Sequence, residues 1–360
     1  MIDIFKKVLI KFKKEVNKRF TVADIKDVGY KTKNISVRIA VVGLGKQGGK
    51  LCRYLINMGY NVVVVCDLSK KRINMLKKDF PSLYTTTNIK DLESYNIDIC
   101  VLATLANGRF SIIKKLNEIG INKILSEKPI SNKISECKLL FNYINDNNMR
   151  IEVYNPFLFS EDIKIFKQKL EKLNKGSFLN AKLFFKPSGL ANIGSHIFAS
   201  FQYLTNVQID RVVKCKLFDN NRVVRTKKSR DPNAKVIYKT TDDSNVFLDC
   251  STNYCSKTKF FIEYENLFIS LYNNDKLLVS YKNKENDDLM FISKNSINKF
   301  SGRYRALDHA ITKLNTKKSH SLNYALNAVE LIIASHLSFH HNKSISLPLK
   351  EDVETIYNFS

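Results

Sequence analysis

Between positions 37 and 67 the chain is apolar, then glycine-rich, then amphipathic, then apolar again, which predicts a strand, a turn, a helix and a second strand. The runs 38–42 and 62–66 are short and rich in Val and Ile, as befits parallel strands buried on both faces. The alternation continues with a helix over 70–80, a short strand at 83–86, a strand at 98–104, a helix at 110–119, a strand at 122–126, a helix at 134–144 and a strand at 150–155. Strands alternating with helices predict a doubly wound parallel sheet whose ligand lies off the carboxyl ends of the strands.

From about residue 157 the rhythm changes. Helices are predicted at 160–173 and, shorter, at 191–204, with a strand at 177–185. Strands then follow at 211–218, 234–240, 245–252, 258–264, 267–272 and 276–281, several separated by turn signals such as SRDPN, TDDS and YNND. This pattern predicts a second, α+β domain over 156–360 with a large, mainly antiparallel sheet, closed by helices at 304–314 and 322–339. The strands carry apolar residues on both parities, so the face of the sheet without helices should meet a neighbour. Ahead of the α/β domain (35–155), the stretch 1–34 places Ile4, Phe5, Val8, Phe12, Val16 and Phe20 on one helical stripe among lysines. That stripe suits packing on the protein's own body or a sister subunit; an anionic membrane surface is the alternative.

Composition narrows the classes. A length of 360 residues suits about two domains. No run of 18 apolar residues occurs, and the lysine-broken N-terminus is a poor secretory signal. The seven cysteines are scattered without a CxxC pair, which predicts free thiols in the cytoplasm and no zinc site. The net charge is +25, but only 12 of the 59 basic residues are Arg and all are spread along the chain, which argues against nucleic acid. A positive field of this kind would steer anionic substrates such as nucleotide sugars.

Chemistry enters with the glycines. Gly43 permits a tight turn off the first strand, Gly45 lets backbone approach a pyrophosphate, and Gly48 lets the helix lie close to the sheet. With Lys46 and Gln47 they form a helix N-terminus suited to a dinucleotide's phosphates. Asp67, 19 residues beyond Gly48, stands where a carboxylate accepts from an adenosine ribose and repels a 2′-phosphate. NAD is therefore expected over NADP, although Ser69, Lys70, Lys71 and Arg72 could hold that phosphate.

Further along, Ala103-Thr104 ends a strand, Ser126-Glu127-Lys128-Pro129 ends the fifth, Gly194-Ser195-His196 lies on a helix, and a closing helix is followed by Leu347-Pro348. In these motifs and in the turn from Gly43 to Gly48 the chain resembles the Gfo/Idh/MocA family, the glucose–fructose oxidoreductase and inositol dehydrogenase relatives, over about residues 36–348. The resemblance implies an NAD(P)-dependent oxidoreductase acting at a carbinol or keto carbon of a sugar, cyclitol or nucleotide sugar. It implies Thr104, Glu127 and Lys128 beside the cofactor, Lys128 and His196 in proton transfer, Tyr154 and Asn155 toward the substrate, and a cis peptide at Lys128-Pro129. It also implies a homodimer or homotetramer joined through the second sheet. Three positions depart from the family pattern: Leu105 with Arg109 in place of a Pro and a His, Asn192 in place of an Asp, and Pro156-Phe157-Leu158 in place of an arginine segment. These departures keep open a non-catalytic dinucleotide-binding regulatory protein on the same fold. Asn192 and His196 are spaced i, i+4, so the Asn192 amide is expected to steer the histidine ring.

Overall fold

The computed structural model describes residues 36–218, 231–251, 258–273, 277–282, 289–292, 305–316 and 321–350. The predicted N-terminal helix and Cys255 lie outside these residues. Six strands, β1 (Arg38–Val42), β2 (Asn61–Cys66), β3 (Tyr84–Thr86), β4 (Ile99–Leu102), β5 (Lys123–Glu127) and β6 (Arg150–Tyr154), form an all-parallel sheet in the order 3-2-1-4-5-6. Helices α1 (Lys46–Asn57), α2 (Lys70–Asp79), α3 (Arg109–Glu118) and α4 (Ile134–Asp146) connect them. β1 and β4 are almost wholly buried, because their continuous apolar runs suit a sheet covered on both faces. The strand order reverses between β1 and β4, which opens a crevice at their carboxyl ends. A 3₁₀ helix at Ile89–Tyr95 was not predicted; it buries only Leu92, so its sequence has no apolar period, and its one local signal is the Asn88 cap on the Lys90 N–H.

The second half contains α5 (Glu161–Glu171), β7 (Phe178–Phe184), α6 (Leu190–Thr205), β8 (Ile209–Phe218), β9 (Asn233–Thr240) and β10 (Asn245–Asp249). It continues with β11 (Thr258–Tyr264), β12 (Phe268–Asn273), β13 (Leu277–Lys282), β14 (Leu289–Ile292), α7 (Arg305–Thr316), α8 (Ser321–His341) and β15 (Ile345–Ser346). These strands make one nine-stranded sheet, ordered 14-13-12-11-7-10-9-8-15. It is antiparallel except at its centre, where β7 and β10 run parallel. Val212, Val236, Tyr238, Val246, Leu248 and Ile262 point to the helical side and are fully buried.

α6 is longer than predicted, at 16 residues, and buried over most of its length. LANIGSHIFASFQYLT is small or apolar on every side, so no amphipathic period marks its ends. It packs on α8, and α8 packs on β8 and β6. α7 reaches back to β5 and β6, and its Asp308 accepts from the phenols of Tyr60 (2.7 Å) and Tyr54 (3.1 Å). From Ser36 onward the chain is one compact unit.

Candidate active site

The crevice begins at the glycine turn. Gly43 has φ +93°, and a Cβ there would stand 2.8 Å from the carbonyl carbon and oxygen of Ala103 at the end of β4. A Cβ on Gly48 would overlap the Gly43 carbonyl. Both glycines are thus fixed by close backbone approach. Gly45 is different, since nothing lies within 4 Å of a Cβ built on it. It also caps α1 without a side chain, leaving that helix's first N–H groups for an anion. Lys46 is exposed and Gln47 half-buried beside it. Across the crevice, the Thr104 hydroxyl is buried with no hydrogen-bond partner, a polar atom placed to meet a ligand. The cradle and this hydroxyl fit the phosphates and nicotinamide side of NAD.

Asp67 does more than the sequence suggested. Its carboxylate is 6% exposed and accepts from the backbone N–H of Leu44 (2.5 Å) and of Ser69 (2.7 Å), with the Arg72 guanidinium at 3.5 Å. The acid expected to meet a ribose therefore latches the glycine turn onto the end of β2 and the start of α2.

The second half of the site surrounds Lys128, which follows β5 and precedes a cis bond to Pro129. Arg109 opens α3 fully buried, and its guanidinium donates to the carbonyl oxygens of Thr104, Glu127 and Pro129. The residue that looked like a departure is a staple binding the ends of β4 and β5. No sequence pattern announces it, because its partners are backbone atoms.

Lys128 is 8% exposed and donates to the Asn192 amide oxygen (2.9 Å) and to the Asn192 carbonyl. The other end of that amide donates to the Ser188 carbonyl at 3.2 Å. The amide expected to steer the His196 ring thus holds the Lys128 ammonium. Lys128, Asn155, Ser195 and His196 line one small cavity, floored by Val153 and Ser321. The Ser195 hydroxyl is buried there with no hydrogen-bond partner. Asn155 accepts from Phe157 N–H and donates to the His196 carbonyl, which ties β6 to α6. Ser321, opening α8, accepts from Val153 N–H at 2.7 Å and donates to the buried Glu152 carboxylate. Tyr154, expected toward the substrate, is 3% exposed and is a core residue of β6 outside that lining.

The N-terminus of α6 is closed from the far side of the fold. Gly189 N–H donates to Asn233 Oδ1, Leu190 N–H to the Pro232 carbonyl, and Ala191 and Asn192 N–H to the two oxygens of Asp231. Cys66 and Cys100 line the strands beside the crevice, but burial pushes the Cys66 thiol up to about 11 and Cys100 higher still, so neither is a nucleophile. No cluster of three or more metal-ligating side chains occurs among the described residues.

Residues 37–155 match the sequence model of the Gfo/Idh/MocA family, described as an oxidoreductase family with an NAD-binding Rossmann fold. No curated protein matches the chain in sequence. Among solved structures, an oxidoreductase domain protein from Kribbella flavida superimposes with a TM-score of 0.72 at 14% identity, covering 87% of this chain and 99% of that one. A scyllo-inositol dehydrogenase from Lactobacillus casei, with bound NAD(H) and scyllo-inositol, gives 0.69 at 14% identity over 86% and 98%. GenD2 from gentamicin A biosynthesis, in complex with NAD, gives 0.70 at 14% identity over 89% and 100%. Such identities speak for the fold alone, whereas the sequence match and the glycine cradle speak for the cofactor domain: over residues 37–155 the chain is similar to the NAD-binding oxidoreductase family Gfo/Idh/MocA.

Proposed function

We propose that the protein is an NAD(P)-dependent dehydrogenase or reductase acting on a CH–OH or keto carbon of a sugar, cyclitol or nucleotide sugar. One observation carries this reading: Lys128, His196, Asn155 and the unpartnered Ser195 hydroxyl converge on a single cavity at the carboxyl end of the parallel sheet. When bound, the dinucleotide supplies the hydride acceptor or donor. Gly43, Gly45 and Gly48 with Lys46 and Gln47 would hold its phosphates, and Thr104 and Glu127 would flank the nicotinamide side. Lys128 and His196 hold or move the proton at the substrate oxygen, and Asn155 and Ser195 orient the substrate's other hydroxyls. The inositol dehydrogenase of like fold supports the polyol class. The buried Asp67 anion disfavours a 2′-phosphate, so NAD is the expected cofactor; NADP remains the alternative through Arg72, Ser69 and Lys70. No described helix is long and apolar enough to cross a membrane. The free, buried thiols support a cytoplasmic enzyme.

The test is a panel of inositols, aldoses and nucleotide sugars, each with NAD or NADP, followed by NADH absorbance. Turnover on one of them, lost by about 10²–10⁴-fold in Lys128→Met and His196→Ala, is expected. NADH binding without turnover across the panel would replace this reading with the regulatory one, to which Asn192 in place of a carboxylate lends its weight.

A further inference from the structure

The carboxylate that position 192 lacks stands elsewhere in the fold. Asp231, just ahead of β9, is 3% exposed, and its two oxygens accept from Ala191 N–H at 2.7 Å and Asn192 N–H at 2.8 Å. Asn192 in turn offers its carbonyl and its amide oxygen to Lys128. One residue therefore joins a buried anion to a buried ammonium. At Gly189, φ is +91° and a Cβ would overlap the Asp231 carboxylate, so the chain leaves bare backbone where that side chain enters. A neutral Ser or Asn caps a helix about as well as an acid does, so capping alone does not require a charge here. The charge is also well placed, because the positive end of the helix dipole makes a buried carboxylate tolerable there.

We propose that Asp231 is a positioning residue for proton transfer: acting through Asn192, it fixes the Lys128 ammonium in the cavity and supplies a negative charge on the far side of Asn192. The inference deepens the reading of Lys128 as a proton-handling group, but its test needs no substrate. Besides Asp231, the elements around Lys128 carry Arg109, Lys114, Lys115 and Glu118 on α3, Lys123 and Glu127 on β5, Arg150, Glu152 and Tyr154 on β6, and His196 and Tyr203 on α6. Arg109 disfavours a second cation on the neighbouring backbone, which makes the Asp231 charge matter more.

The experiment is competitive acetylation of the full chain with acetic anhydride over a range of pH, with Lys128 and the exposed Lys46 quantified by mass spectrometry. Removing an opposite charge lowers a lysine's pKa by roughly one unit or more, so Asp231→Asn should speed Lys128 acetylation about tenfold below its midpoint and leave Lys46 unchanged. Asn192→Asp combined with Asp231→Asn returns a carboxylate to the ammonium but not to the Ala191 N–H, and should restore the parent rate. A folded Asp231→Asn protein that labels like the parent overturns the proposal, and so does a double variant that stays fast. If Asp231→Asn does not fold by circular dichroism, the double variant decides alone: folded with parent-like labelling supports the role, and failure to fold reduces Asp231 to a helix cap.

Discussion

Single buried groups set how the protein answers to pH and to thiol reagents. Burial pushes the thiols of Cys52, Cys137, Cys215 and Cys250 up to about 12 and that of Cys66 to about 11. With Cys100, these six are free and buried, so iodoacetamide at mildly alkaline pH should leave them unmodified in the folded protein and alkylate them in urea. His336, inside α8, has an imidazole with a large shift: burial, with some help from His340, lowers it to about 3. Folded, it stays neutral, whereas in the unfolded chain it gains a proton below about 6.5. The unfolded state then binds more protons, so this contribution to stability is full above 6.5 and is lost as pH falls toward 3, at about 1.4 kcal/mol per unit. Urea unfolding at successive pH values should show a shallower acid loss for His336→Phe than for the parent; parallel curves would refute the assignment. At this scale Thr104, Lys128, Asn155 and His196 could be named from sequence, because each sits in a short motif tied to a strand end or helix. Arg109 and Asp231 could not be, since their roles depend on backbone atoms brought together by the fold. Asp231 meets α6 about 40 residues away in sequence.

Elements were legible where their period was clean. β1 and β2 stand within a residue of their predicted limits, because short apolar runs on either side of a glycine turn mark them. α6 runs one residue further at each end than predicted, since its all-round apolar sequence has no period to mark them. The parallel pairing of β7 with β10 was hidden because parallel and antiparallel strands look alike in a single chain. The glycine turn makes a sharper test, since its glycines serve different ends. Gly45 has an ordinary φ of −60° and open space, so Gly45→Ala should fold and melt almost as the parent does. Its added methyl would enter the phosphate site, and NADH affinity should fall about tenfold or more, equivalent to roughly 1.4 kcal/mol. Gly48→Ala forces a methyl into the Gly43 carbonyl and should cost about 1–3 kcal/mol of stability along with NADH binding. Thermal melts beside NADH fluorescence titrations separate the two; Gly45→Ala binding NADH as tightly as the parent would remove the pyrophosphate from this turn.

At the scale of the whole molecule, the face of the nine-stranded sheet away from the helices is where copies of the chain are expected to associate. Phe247 of β10, Phe184 of β7, Phe261 of β11 and Phe268 of β12 form a row on that face, with adjacent ring centroids 6.0 to 6.4 Å apart. All four are half-buried, while the residues next to them along each strand, such as Val246, Leu183, Phe260 and Ile269, turn to the helices and are buried. Leu179, Val213 and Ile237 are each 38% exposed and extend the apolar surface. Lys182 sits in register between Phe247 and Phe261, where its stem can lie along the rings and its ammonium reach the rim. An apolar row across four strands is poorly suited to water, and a second copy offers the same row in the symmetric geometry that most dimers use. We therefore expect a homodimer, or a tetramer built from it, with these sheets face to face. Phe184→Lys combined with Phe261→Lys places two charges in the middle of that interface and leaves the helical core untouched. Light scattering at micromolar concentration should show the parent as an oligomer and the double variant as a monomer with an unchanged circular dichroism spectrum. A monomeric parent, or a double variant that keeps the parent's mass, would leave the aromatic row without a partner and move the interface to another face.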